Sequence, residues 1–596
     1  MLCRFVRFIS TFTVNNPNTM NFRIAKLSIF AFLFSLQFTF GQFKQTIANK
    51  TQITVNKDNL IPFKRLDKLK IAVITADNNK YKTFINTLQR YTDVKSLDFQ
   101  QYDEKTKYYN TLIVAGSAED FRSDYFAMIL QSAVNKKQVI LCRFGSEESH
   151  TLLGLNSNNI SRFASVMWSP ENDIEGQQNM AMSIFAGLGV TEGTNKTEQS
   201  RLQYTEGKNS GLDIKKMTSE IDAIALDAIK QHAAPGMNVM VVKNGQVIFE
   251  KAYGYHTYEN TIPNKIDDIY DLASVSKIAG TTPVIMHLQE NNIINLDSTM
   301  GHYLWQAKNS NKANITLRTV LLHEAGFTPF IPFYRNLKPG DVQREKSETH
   351  QVQLADHAYL LNNYYQDVMW PEMLQSSVKP IGNYVYSDIS MYVMKEIAEH
   401  ETSTPMQDYV QDFLYKPIGM KTAGYNPRNR FEKNKIVPTQ NDTVFRKVLL
   451  EGFVHDEGAA MAGGVAGHAG LFSSANDLAI YGQLLLNRGK YGGVQYYKPE
   501  TIDMFTSKQS ATSRRGLGFD RYDPTSKAGY PSKLANSSVY GHTGYTGTCI
   551  WIDPSNQLIY IFLSNRVHPQ VSSKLGDLNV RSRIQDVIYH TINQAK

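Results

Sequence analysis

Ser274 and Lys277 stand three residues apart in the segment DLASVSK, at the predicted start of a helix. At that spacing a hydroxyl and an amine share one face of the helix, one turn apart. A serine hydroxyl is a weak nucleophile at neutral pH, and a neighbouring amine held partly away from water can take its proton. Lys277 could serve as that base or as a cation that lowers the pKa of a partner. The competing interpretations are a helix N-cap for Ser274 and a solvated surface role for Lys277.

Two further polar clusters lie downstream: YSD, which begins at Tyr386, and HTG, which begins at His542. The hydroxyl of a tyrosine ionises only in alkaline solution, so Tyr386 needs a cation such as Lys277 nearby to transfer protons at neutral pH. Packing is the alternative role for Tyr386. His542, Thr543 and Gly544 directly precede the strand-like run TGTCIWIDP, so we expect them to open an edge strand that faces a cleft. A glycine at 544 lets a substrate backbone lie close to that strand.

The order of these three clusters resembles that of the serine β-lactamases and penicillin-binding proteins. Residues 218–596 are similar to the class C-like branch of that superfamily, which includes esterases and D-amino-acid peptidases. Four more segments carry the resemblance: ITLRTVLLHEAGF (315–327), YKPIGM (415–420), VHDEGAAMAGGVAGHAGLFSSANDLA (454–479) and RRGLGFD (514–520). The resemblance implies an α+β fold, in which an antiparallel sheet is flanked by helices and joined by a helical subdomain.

The resemblance also implies roles for individual residues. Ser274 would attack a carbonyl, Lys277 and Tyr386 would move protons, and water would release the acyl-enzyme. The backbone N–H groups of Ser274 and Tyr545 would form an oxyanion hole that stabilises the developing charge. The remaining substrate-binding positions implied by the resemblance are Asp388, His542, Thr543 and Gly544.

The sequence departs from the family pattern at two of these positions. Asp388 stands where the family usually has asparagine, and an ionised carboxylate cannot donate hydrogen bonds as an amide does. Asp388 could instead orient Lys277. His542 stands where most penicillin-binding proteins have a lysine that pairs with a substrate carboxylate. A histidine at this position resembles the esterase and aminopeptidase members. We therefore expect weaker binding of a substrate carboxylate and little hydrolysis of β-lactams.

Other polar positions near these motifs are interpreted as structural. His323 and Gly326 are expected to shape a turn behind the site. Glycines in the 454–479 segment, with His468, are expected to form a tight loop at the rim of the cleft: Gly463, Gly464, Gly467 and Gly470. This loop is not a phosphate cradle, because no Gly-Lys-Ser/Thr sequence follows. Pro283 is expected to kink the helix of Ser274 or end it early.

The composition is that of an ordinary globular protein of more than one domain. The chain has 596 residues, of which 42% are hydrophobic and 20% are charged. A formal net charge of +8, with no lysine- or arginine-rich run, gives no reason to expect a nucleic-acid partner. The three cysteines, Cys3, Cys142 and Cys549, fall in different parts of the chain, so no disulfide is expected. No zinc-type spacing occurs, and we predict neither a metal nor a cofactor.

The N-terminal 41 residues have the pattern of an export signal that follows some upstream sequence, with Met20 as the predicted start. Arg23 and Lys26 precede the apolar run LSIFAFLFSLQFTF and the small Gly41. The run is short for a bilayer span, so we expect a cleaved signal and a periplasmic or secreted bacterial protein. An uncleaved single-pass anchor is the alternative.

Residues 69–190 are predicted to form a small parallel α/β domain. The runs at 70–76, 111–118, 137–145 and 161–169 are strand-like, and those at 80–91, 121–136 and 173–188 are helix-like. The segment SVMWSPENDIEGQQNMAMSIFAG resembles the C-terminal domain of glycoside hydrolase family 3, but no segment offers the catalytic barrel of that family. We expect a non-catalytic accessory, with polar linkers at 42–68 and 191–217 on either side of it.

Together these patterns predict an exported serine hydrolase that acts on an ester or on an amide containing a D-amino acid. The expected substrate is a small molecule or a peptide, and peptidoglycan fragments would fit. A penicillin-binding D,D-carboxypeptidase is the first alternative. The second alternative is a catalytically silent protein that binds muropeptides.

Overall fold

The computed structural model describes residues 49–97, 105–122, 137–146, 160–193, 195–525 and 531–595. The predicted signal and its upstream residues, and most of the helix predicted at 121–136, lie outside these ranges. Within them, every helix is too short or too polar to cross a bilayer. Residues Asn49–Lys596 belong to one compact unit, in which two large sheets define an α/β lobe (residues 49–196) and a C-terminal lobe (residues 203–595).

The α/β lobe is built on an eight-stranded sheet whose order is β3-β2-β4-β5-β6-β1-β7-β8. Its strands are β1 (Gln52–Asn56), β2 (Ile71–Thr75), β3 (Val94–Leu97), β4 (Thr111–Ser117), β5 (Gln138–Phe144), β6 (Ser165–Ser169), β7 (Thr191–Glu192) and β8 (Asn195–Lys196). Strands β2 to β6 are parallel, and helices α1 (Lys82–Leu88) and α2 (Ile174–Ile184) accompany them. This confirms the predicted parallel α/β architecture, in which near-continuous apolar strands are buried on both faces. The likeness to glycoside hydrolase family 3 stays a prediction.

Parts of the two predicted linkers are ordered elements of the structure. In the segment 42–68, strand β1 pairs antiparallel with β6 and buries Ile53. In the segment 191–217, strands β7 and β8 extend the first sheet, and β9 (Gln203–Tyr204) joins the second. The polar composition is misleading because Arg201 is buried and donates to three backbone oxygens, those of Phe63, Phe185 and Lys64, at 2.6–2.9 Å.

The C-terminal lobe contains a seven-stranded sheet in the order β22-β23-β24-β25-β10-β11-β9. Its longer strands are β10 (Gly236–Lys243), β11 (Gln246–Gly254), β23 (Tyr540–Thr543), β24 (Cys549–Asp553) and β25 (Leu558–Ser564), with β22 (Asp520–Arg521) at the edge. A tight hairpin turn joins β10 to β11: Asn244 and Gly245 both have positive φ, 53° and 77°, as such a two-residue turn requires. Strand β10 also pairs with β25, which brings the two ends of the lobe together.

Helices cover both faces of this sheet. Helices α3 (Ile214–Lys230) and α15 (Val580–Gln594) share one apolar core with the sheet, to which Ile221, Trp551 and Ile588 belong. Helix α12 (Ala475–Leu486) contacts β25 and β10. The remaining α-helices are α4 (Thr282–Glu290), α5 (Met300–Tyr303), α6 (Leu317–Leu321), α7 (Trp370–Gln375), α8 (Ile389–Thr402), α9 (Met406–Val410), α10 (Lys416–Ile418), α11 (Glu457–Met461), α13 (Pro499–Thr506) and α14 (Lys574–Asp577). Together with the sheet they give the α+β architecture that the sequence predicted.

Short strands complete the C-terminal lobe. They are β12 (Tyr270–Asp271), β13 (Val342–Gln343), β14 (Val352–Ala355), β15 (Ala358–Leu360), β16 (Gly424–Tyr425), β17 (Gln440–Asn441), β18 (Leu449–Leu450), β19 (Leu471–Ser473), β20 (Lys490–Tyr491) and β21 (Val494–Gln495). Of these, β12, β19 and β16 form one small sheet. That sheet joins the segment before Ser274 to the glycine-rich segment.

The helix of Ser274 continues past Pro283, so the early end that was one of the two predicted outcomes does not occur. A π-helical segment, Lys277–Thr281, leads directly into α4, and Pro283 occupies the first turn of the α-helical part. A proline is tolerated there because the first N–H groups of an α-helix have no partner within the helix. The π-helical segment therefore accommodates the missing N–H of Pro283, and the helix continues to Glu290.

Buried tyrosines satisfy the carbonyl groups that this irregularity leaves free. The hydroxyl of Tyr481 donates to the carbonyl of Ile278 at 2.6 Å, and that of Tyr415 donates to the carbonyl of Ala279 at 2.5 Å. Each of these two carbonyls would otherwise be buried without a donor, since Pro283 has no N–H. The tyrosines thus fix the helix that carries Lys277.

The two lobes are joined by specific polar contacts. Arg90 of the α/β lobe pairs with both carboxylate oxygens of Glu250 on β11, at 2.7 and 2.8 Å. Arg90 also donates to the amide oxygen of Asn476 on α12, at 2.9 Å. The hydroxyl of Tyr91 donates to the carbonyl of Leu202 at 2.7 Å. A bidentate, partly buried arginine–carboxylate pair is among the stronger polar contacts in proteins, so these contacts favour a fixed arrangement of the two lobes.

Candidate active site

Ser274 lies in a turn whose backbone is held in an uncommon conformation. The residue before it, Ala273, has a φ of +47°, in the left-handed region that costs an ordinary residue about 1 kcal/mol. Asp271 stabilises this turn by accepting the N–H of Ala273 at 2.9 Å. Ser274 remains partly exposed to solvent, whereas Lys277, one turn further on, is fully buried.

The ammonium group of Lys277 has three hydrogen-bond acceptors. Its Nζ donates to Ser274 Oγ at 2.9 Å, to Asp388 Oδ1 at 2.8 Å and to the carbonyl of His468 at 3.3 Å. An ammonium has three N–H bonds to give, so all of them are used. Burial alone would lower the pKa of Lys277, but the Asp388 carboxylate and the nearby Tyr386 raise it above its ordinary value. Of the two roles considered for Lys277, the geometry favours the cation.

The loop that carries Tyr386 and Asp388 is tied down by a neighbouring loop. The N–H of Asp388 donates to the carbonyl of Pro329 at 2.8 Å, and the hydroxyl of Ser387 donates to the carbonyl of Thr328 at 2.6 Å. The N–H of Ser387 donates to Nδ1 of His323 at 3.2 Å. These contacts hold Asp388 at the start of helix α8 (Ile389–Thr402), where it can reach Lys277.

The ring of Tyr386 lies between two cations and two histidines. The Lys277 Nζ is 4.9 Å from the ring centroid, and the Arg515 guanidinium carbon is 5.4 Å from it. The ring centroids of His323 and His542 lie 4.7 and 6.1 Å away. Cations at these distances are attracted to the ring face. The motifs of Lys277 and His542 therefore meet at the phenol ring of Tyr386, which belongs to the YSD motif.

His323 occupies the position behind the site that the sequence predicted. It has a positive φ of 56°, and it supports the Tyr386 loop through Ser387. Burial, helped by the charges of Arg515 and Lys277, lowers the pKa of His323 well below its ordinary value. The ring is thus neutral and its Nδ1 is free to accept the Ser387 N–H.

His542 and Thr543 lie at the end of strand β23, which is one strand in from the edge strand β22, so the expectation that they open an edge strand is wrong. The Nδ1–H of His542 donates to the carbonyl of Thr543 at 2.7 Å, and the His542 side chain is buried. Burial, together with the cations of Arg515 and Lys277, lowers the pKa of His542 to about 3. His542 is therefore neutral at physiological pH and does not provide the positive charge that a lysine would bring to this position.

The fold itself requires glycine at position 544, and its predicted role towards a substrate stays a prediction. A Cβ at Gly544 would collide with the hydroxyl of Thr548 and with the carbonyl of Leu272, which belongs to the turn before Ser274. Thr548 Oγ1 donates to that same Leu272 carbonyl at 2.9 Å, and Thr546 Oγ1 donates to the carbonyl of Asp271 at 2.8 Å. The glycine therefore permits the β23–β24 loop to dock closely on the turn of Ser274.

The two N–H groups of the predicted oxyanion hole are free in this arrangement. In the part of the chain that the structure describes, neither the N–H of Ser274 nor that of Tyr545 has a hydrogen-bond partner. Tyr545 itself is exposed, and its ring lies 5.4 Å from that of His455. Two free N–H groups, one at the candidate nucleophile and one on the loop docked against it, are what an oxyanion hole requires.

The glycine-rich segment contributes more to the site than the sequence predicted. Gly463, Gly464, Gly467 and Gly470 all have positive φ, between 76° and 106°, as a tight loop requires. His468, however, is buried and not at the rim. Its ring contacts Asp456, while its carbonyl accepts from Lys277. Neither Asp456 nor His468 was assigned a chemical role from the sequence.

Three side chains near Lys277 form a group of potential ligand atoms. Among the described residues, one oxygen each from Asp388 and Asp456 and one nitrogen from His468 lie within 4.8 Å of one another. Two of these atoms already interact directly, since His468 Nε2 is 3.0 Å from Asp456 Oδ1. Asp388 Oδ1 is occupied by the Lys277 ammonium.

Arg515 is a second functional candidate that sequence reasoning missed. It is buried, donates from Nη2 to the hydroxyl of Tyr384 at 2.9 Å, and its Nη1 has no hydrogen-bond partner among the described residues. Its neighbour Arg514 takes both carboxylate oxygens of Asp520, at 2.5 and 2.7 Å, whereas Arg515 Nε lies 4.0 Å from that carboxylate. The signal for it was the RRGLGFD block, which carried a resemblance but suggested no chemistry.

Comparison with known proteins gives a consistent result. A family model described as Beta-lactamase matches residues 219–583. A protein of Escherichia coli (strain K12) named "Putative D-alanyl-D-alanine carboxypeptidase" is 30% identical over 370 residues, which is 58% of this chain and 82% of that protein. A protein with the same name from Salmonella paratyphi A is 29% identical over 400 residues, covering 61% of this chain and 89% of that protein.

Two solved structures are each similar to somewhat less than two thirds of the chain. A penicillin-binding protein homologue from Caulobacter crescentus aligns with a TM-score of 0.47 and 15% identity, over 63% of this chain and 97% of that one. A β-lactamase/D-alanine carboxypeptidase from Pseudomonas syringae aligns with a TM-score of 0.47 and 16% identity, over 62% and 98%.

Proposed function

This chain belongs to the beta-lactamase family and is a serine hydrolase, and from that premise we propose that Ser274 is its nucleophile. Ser274 attacks the carbonyl of an ester or of a D-amino-acid amide, and an acyl-enzyme forms and is released by water. One observation carries this assignment: the buried ammonium of Lys277 donates to Ser274 Oγ at 2.9 Å while Tyr386 lies beside it. Burying a charged group is unfavourable in free energy. Buried charges with shifted pKa values are therefore concentrated at functional sites, where they serve the chemistry.

Tyr386 transfers the proton, and Lys277 supplies a positive charge beside it. Since Lys277 is already protonated, Tyr386 takes the hydroxyl proton of Ser274 and passes it to the leaving group. The cations of Lys277 and Arg515, 4.9 and 5.4 Å from the ring centroid, stabilise the negative charge that this step requires on the phenol oxygen. The N–H groups of Ser274 and Tyr545 receive the oxyanion, and one such donor contributes about 3 kcal/mol to the transition state.

The nucleophile is tested with two serine variants. Ser274→Ala should abolish both covalent labelling by a fluorescent penicillin and turnover of a chromogenic acetyl ester. Ser276→Ala is the matched control, because Ser276 is buried and its Oγ accepts the N–H of Leu471 at 3.0 Å. Ester turnover that persists unchanged in the Ser274 variant would remove Ser274 from its role. Saturable binding of wall fragments without any labelling would instead favour a silent binding protein.

A D,D-carboxypeptidase is the more specific candidate, and Arg515 favours it. The substrate of such an enzyme ends in a carboxylate, which needs a cation near the scissile bond. His542 is neutral and does not supply it, whereas Arg515 lies beside Tyr386 with Nη1 unpaired among the described residues. An arginine is well suited to a planar carboxylate. The name borne by the Escherichia coli relative agrees with this candidate.

Release of D-alanine from a cell-wall pentapeptide distinguishes this candidate from a general esterase. Arg515→Gln should raise KM for the pentapeptide with little effect on an uncharged acetyl ester. It should also remove the preference for the free carboxylate over its amide. Arg514→Gln is the control of equal charge change, because Arg514 is paired with Asp520. Equal losses on both substrates in the Arg515 variant would refute a role in carboxylate binding.

We place this activity outside the cytoplasm, in the periplasm or the secreted fraction of a bacterium, with peptidoglycan fragments as the natural substrate. Support comes from the export pattern at residues 20–41 and from the bacterial relatives. Fractionation of cells that express the full chain tests the location. Recovery of the unprocessed chain in the cytoplasm would contradict it.

A further inference from the structure

The buried pair of His468 and Asp456 lies directly behind Lys277 and takes no part in the steps described above. Both ring nitrogens of His468 face groups that can only accept hydrogen bonds. Nε2 is 3.0 Å from the Asp456 carboxylate, and Nδ1 is 3.3 Å from the carbonyl of Ala466. Only the doubly protonated ring donates to both at once. The surroundings of His468 therefore fit an imidazolium cation.

The charges around His468 support this protonation. Burial alone would lower its pKa, but the carboxylates of Asp456 and Asp388 raise it above its ordinary value, against the opposing charge of Lys277. The remaining titratable group on its ring is Tyr392 of helix α8, whose ring centroid is 4.7 Å away. No other charge is needed to explain the state of the ring.

The result is a cluster of four alternating charges. Lys277 pairs with Asp388 at 2.8 Å, Asp388 lies within 4.8 Å of His468, and His468 pairs with Asp456 at 3.0 Å. Asp388 occupies the position at which the family usually has an uncharged asparagine. A carboxylate there adds a negative charge next to a fully buried lysine, and an unbalanced charge in such a place is strongly unfavourable. The charge of His468 balances it.

The Asp456 carboxylate is fixed independently of His468. Its Oδ1 accepts the N–H of Ala459 at 2.7 Å, at the start of helix α11. The next residue towards the N-terminus, His455, donates its N–H to Asp271 Oδ2 at 2.6 Å, and Asp271 also holds the turn of Ser274. The segment that carries Asp456 is thus anchored to the nucleophile turn, so the position of His468 is coupled to that of Ser274.

Taking the proposed role of Ser274 as given, we propose that His468 and Asp456 are positioning residues that keep the Asp388 carboxylate aligned. Asp388 then holds the Lys277 ammonium against Ser274 Oγ, and the site works while His468 is protonated. Loss of the His468 proton leaves one carboxylate unbalanced, which draws Lys277 away from Ser274. The rate of acylation should therefore fall on the alkaline side as His468 loses its proton.

A pair of variants separates this role from simple packing. His468→Gln should slow acylation by a chromogenic ester roughly 10- to 100-fold, because it leaves the added carboxylate unbalanced. Replacing that carboxylate as well, in the double variant Asp388→Asn with His468→Gln, should restore most of the lost rate. A loss that the second substitution does not relieve would overturn the charge-balance argument. If His468→Gln does not fold, the equally uncharged His468→Asn, with and without Asp388→Asn, provides the same comparison.

The pH profile of acylation gives the second readout. The alkaline limb of the unmodified enzyme should disappear in His468→Gln and move to lower pH in Asp388→Asn, which removes one of the charges that favour the imidazolium. His455→Gln is the matched control and should leave the limb in place, since burial lowers the pKa of His455 to about 4 and the ring is already neutral. An alkaline limb that is unchanged in His468→Gln would refute the proposal.

Two further outcomes are decisive. If the unmodified enzyme shows no acylation of Ser274, the proposed function fails and the role of His468 falls with it. If acylation occurs but His468→Gln behaves like the unmodified enzyme, only the present proposal fails. Loss of activity in EDTA that Zn²⁺ restores would show that Asp388, Asp456 and His468 bind a metal, and would overturn the ion-pair interpretation.

Discussion

Replacement of Lys277 by methionine should affect stability and chemistry through separate causes. The substitution removes three hydrogen bonds and leaves Asp388 without the ammonium 2.8 Å from its carboxylate. Breaking a fully buried ion pair from one side costs about 3–5 kcal/mol. Because the side chain of Asp388 is 23% exposed, we expect a smaller loss, of about 2–3 kcal/mol.

The double variant Lys277→Met with Asp388→Asn isolates the charge. An amide at 388 carries no unpaired charge, so most of the lost stability should return. Acylation should not return, because the cation beside Ser274 is still missing, and the proton transfer by Tyr386 that this cation supports contributes about 10²–10⁴-fold to rate. The stability and the activity of the two variants should therefore diverge.

Thermal unfolding and stopped-flow acylation by a chromogenic ester measure the two effects on the same preparations. The single variant should melt several degrees below the unmodified protein, and the double variant close to it. Equal melting temperatures for the single variant and the unmodified protein would show that Lys277 is not the partner of an ionised Asp388. Recovery of acylation in the double variant would refute the role of Lys277 in the reaction.

Two further predictions concern the turn that carries Ser274. Burial raises the pKa of Asp271 to about 6, above its ordinary value of 3.8, so its contribution to folding should weaken as pH rises between about 4 and 6. Asp271→Asn should flatten the change in unfolding midpoint over that range, and an unaltered slope would contradict the assignment. Gly544→Ala should destabilise the protein by about 1–3 kcal/mol and slow acylation, because the added Cβ pushes the loop away from Leu272. Gly576→Ala, where a Cβ meets nothing, is the control in the same melting assay.

The sequence predicted the architecture and the members of the site better than their interactions. Apolar strand-like runs that alternate with helix-like runs predicted the parallel sheet of the α/β lobe. The motif order placed Ser274, Lys277 and Tyr386 together, and in the structure Lys277 contacts both Ser274 and the ring of Tyr386. Their chemical roles stay predictions.

The residues that sequence analysis missed reach the site through contacts between distant segments. Arg515 lies beside Tyr386 and His468 contacts Asp456, and nothing in the local sequence distinguishes Arg515 or His468 from ordinary surface or core residues. Pro283 was misjudged because the tyrosines that satisfy the freed carbonyls lie more than a hundred residues downstream. The segment 191–217 has the polar composition of a linker, yet it is packed, and its Arg201 is buried against backbone acceptors. Arginine is rarely buried without such partners, so its burial was not expected from the sequence.

Mass spectrometry of the intact protein after brief exposure to an ester or a D-alanyl peptide tests the central claim most directly. The account predicts an increase equal to the mass of the acyl group, located by peptide mapping on Ser274 and absent from Ser274→Ala. An adduct on another residue, or substrate turnover that Ser274→Ala leaves intact, would contradict it.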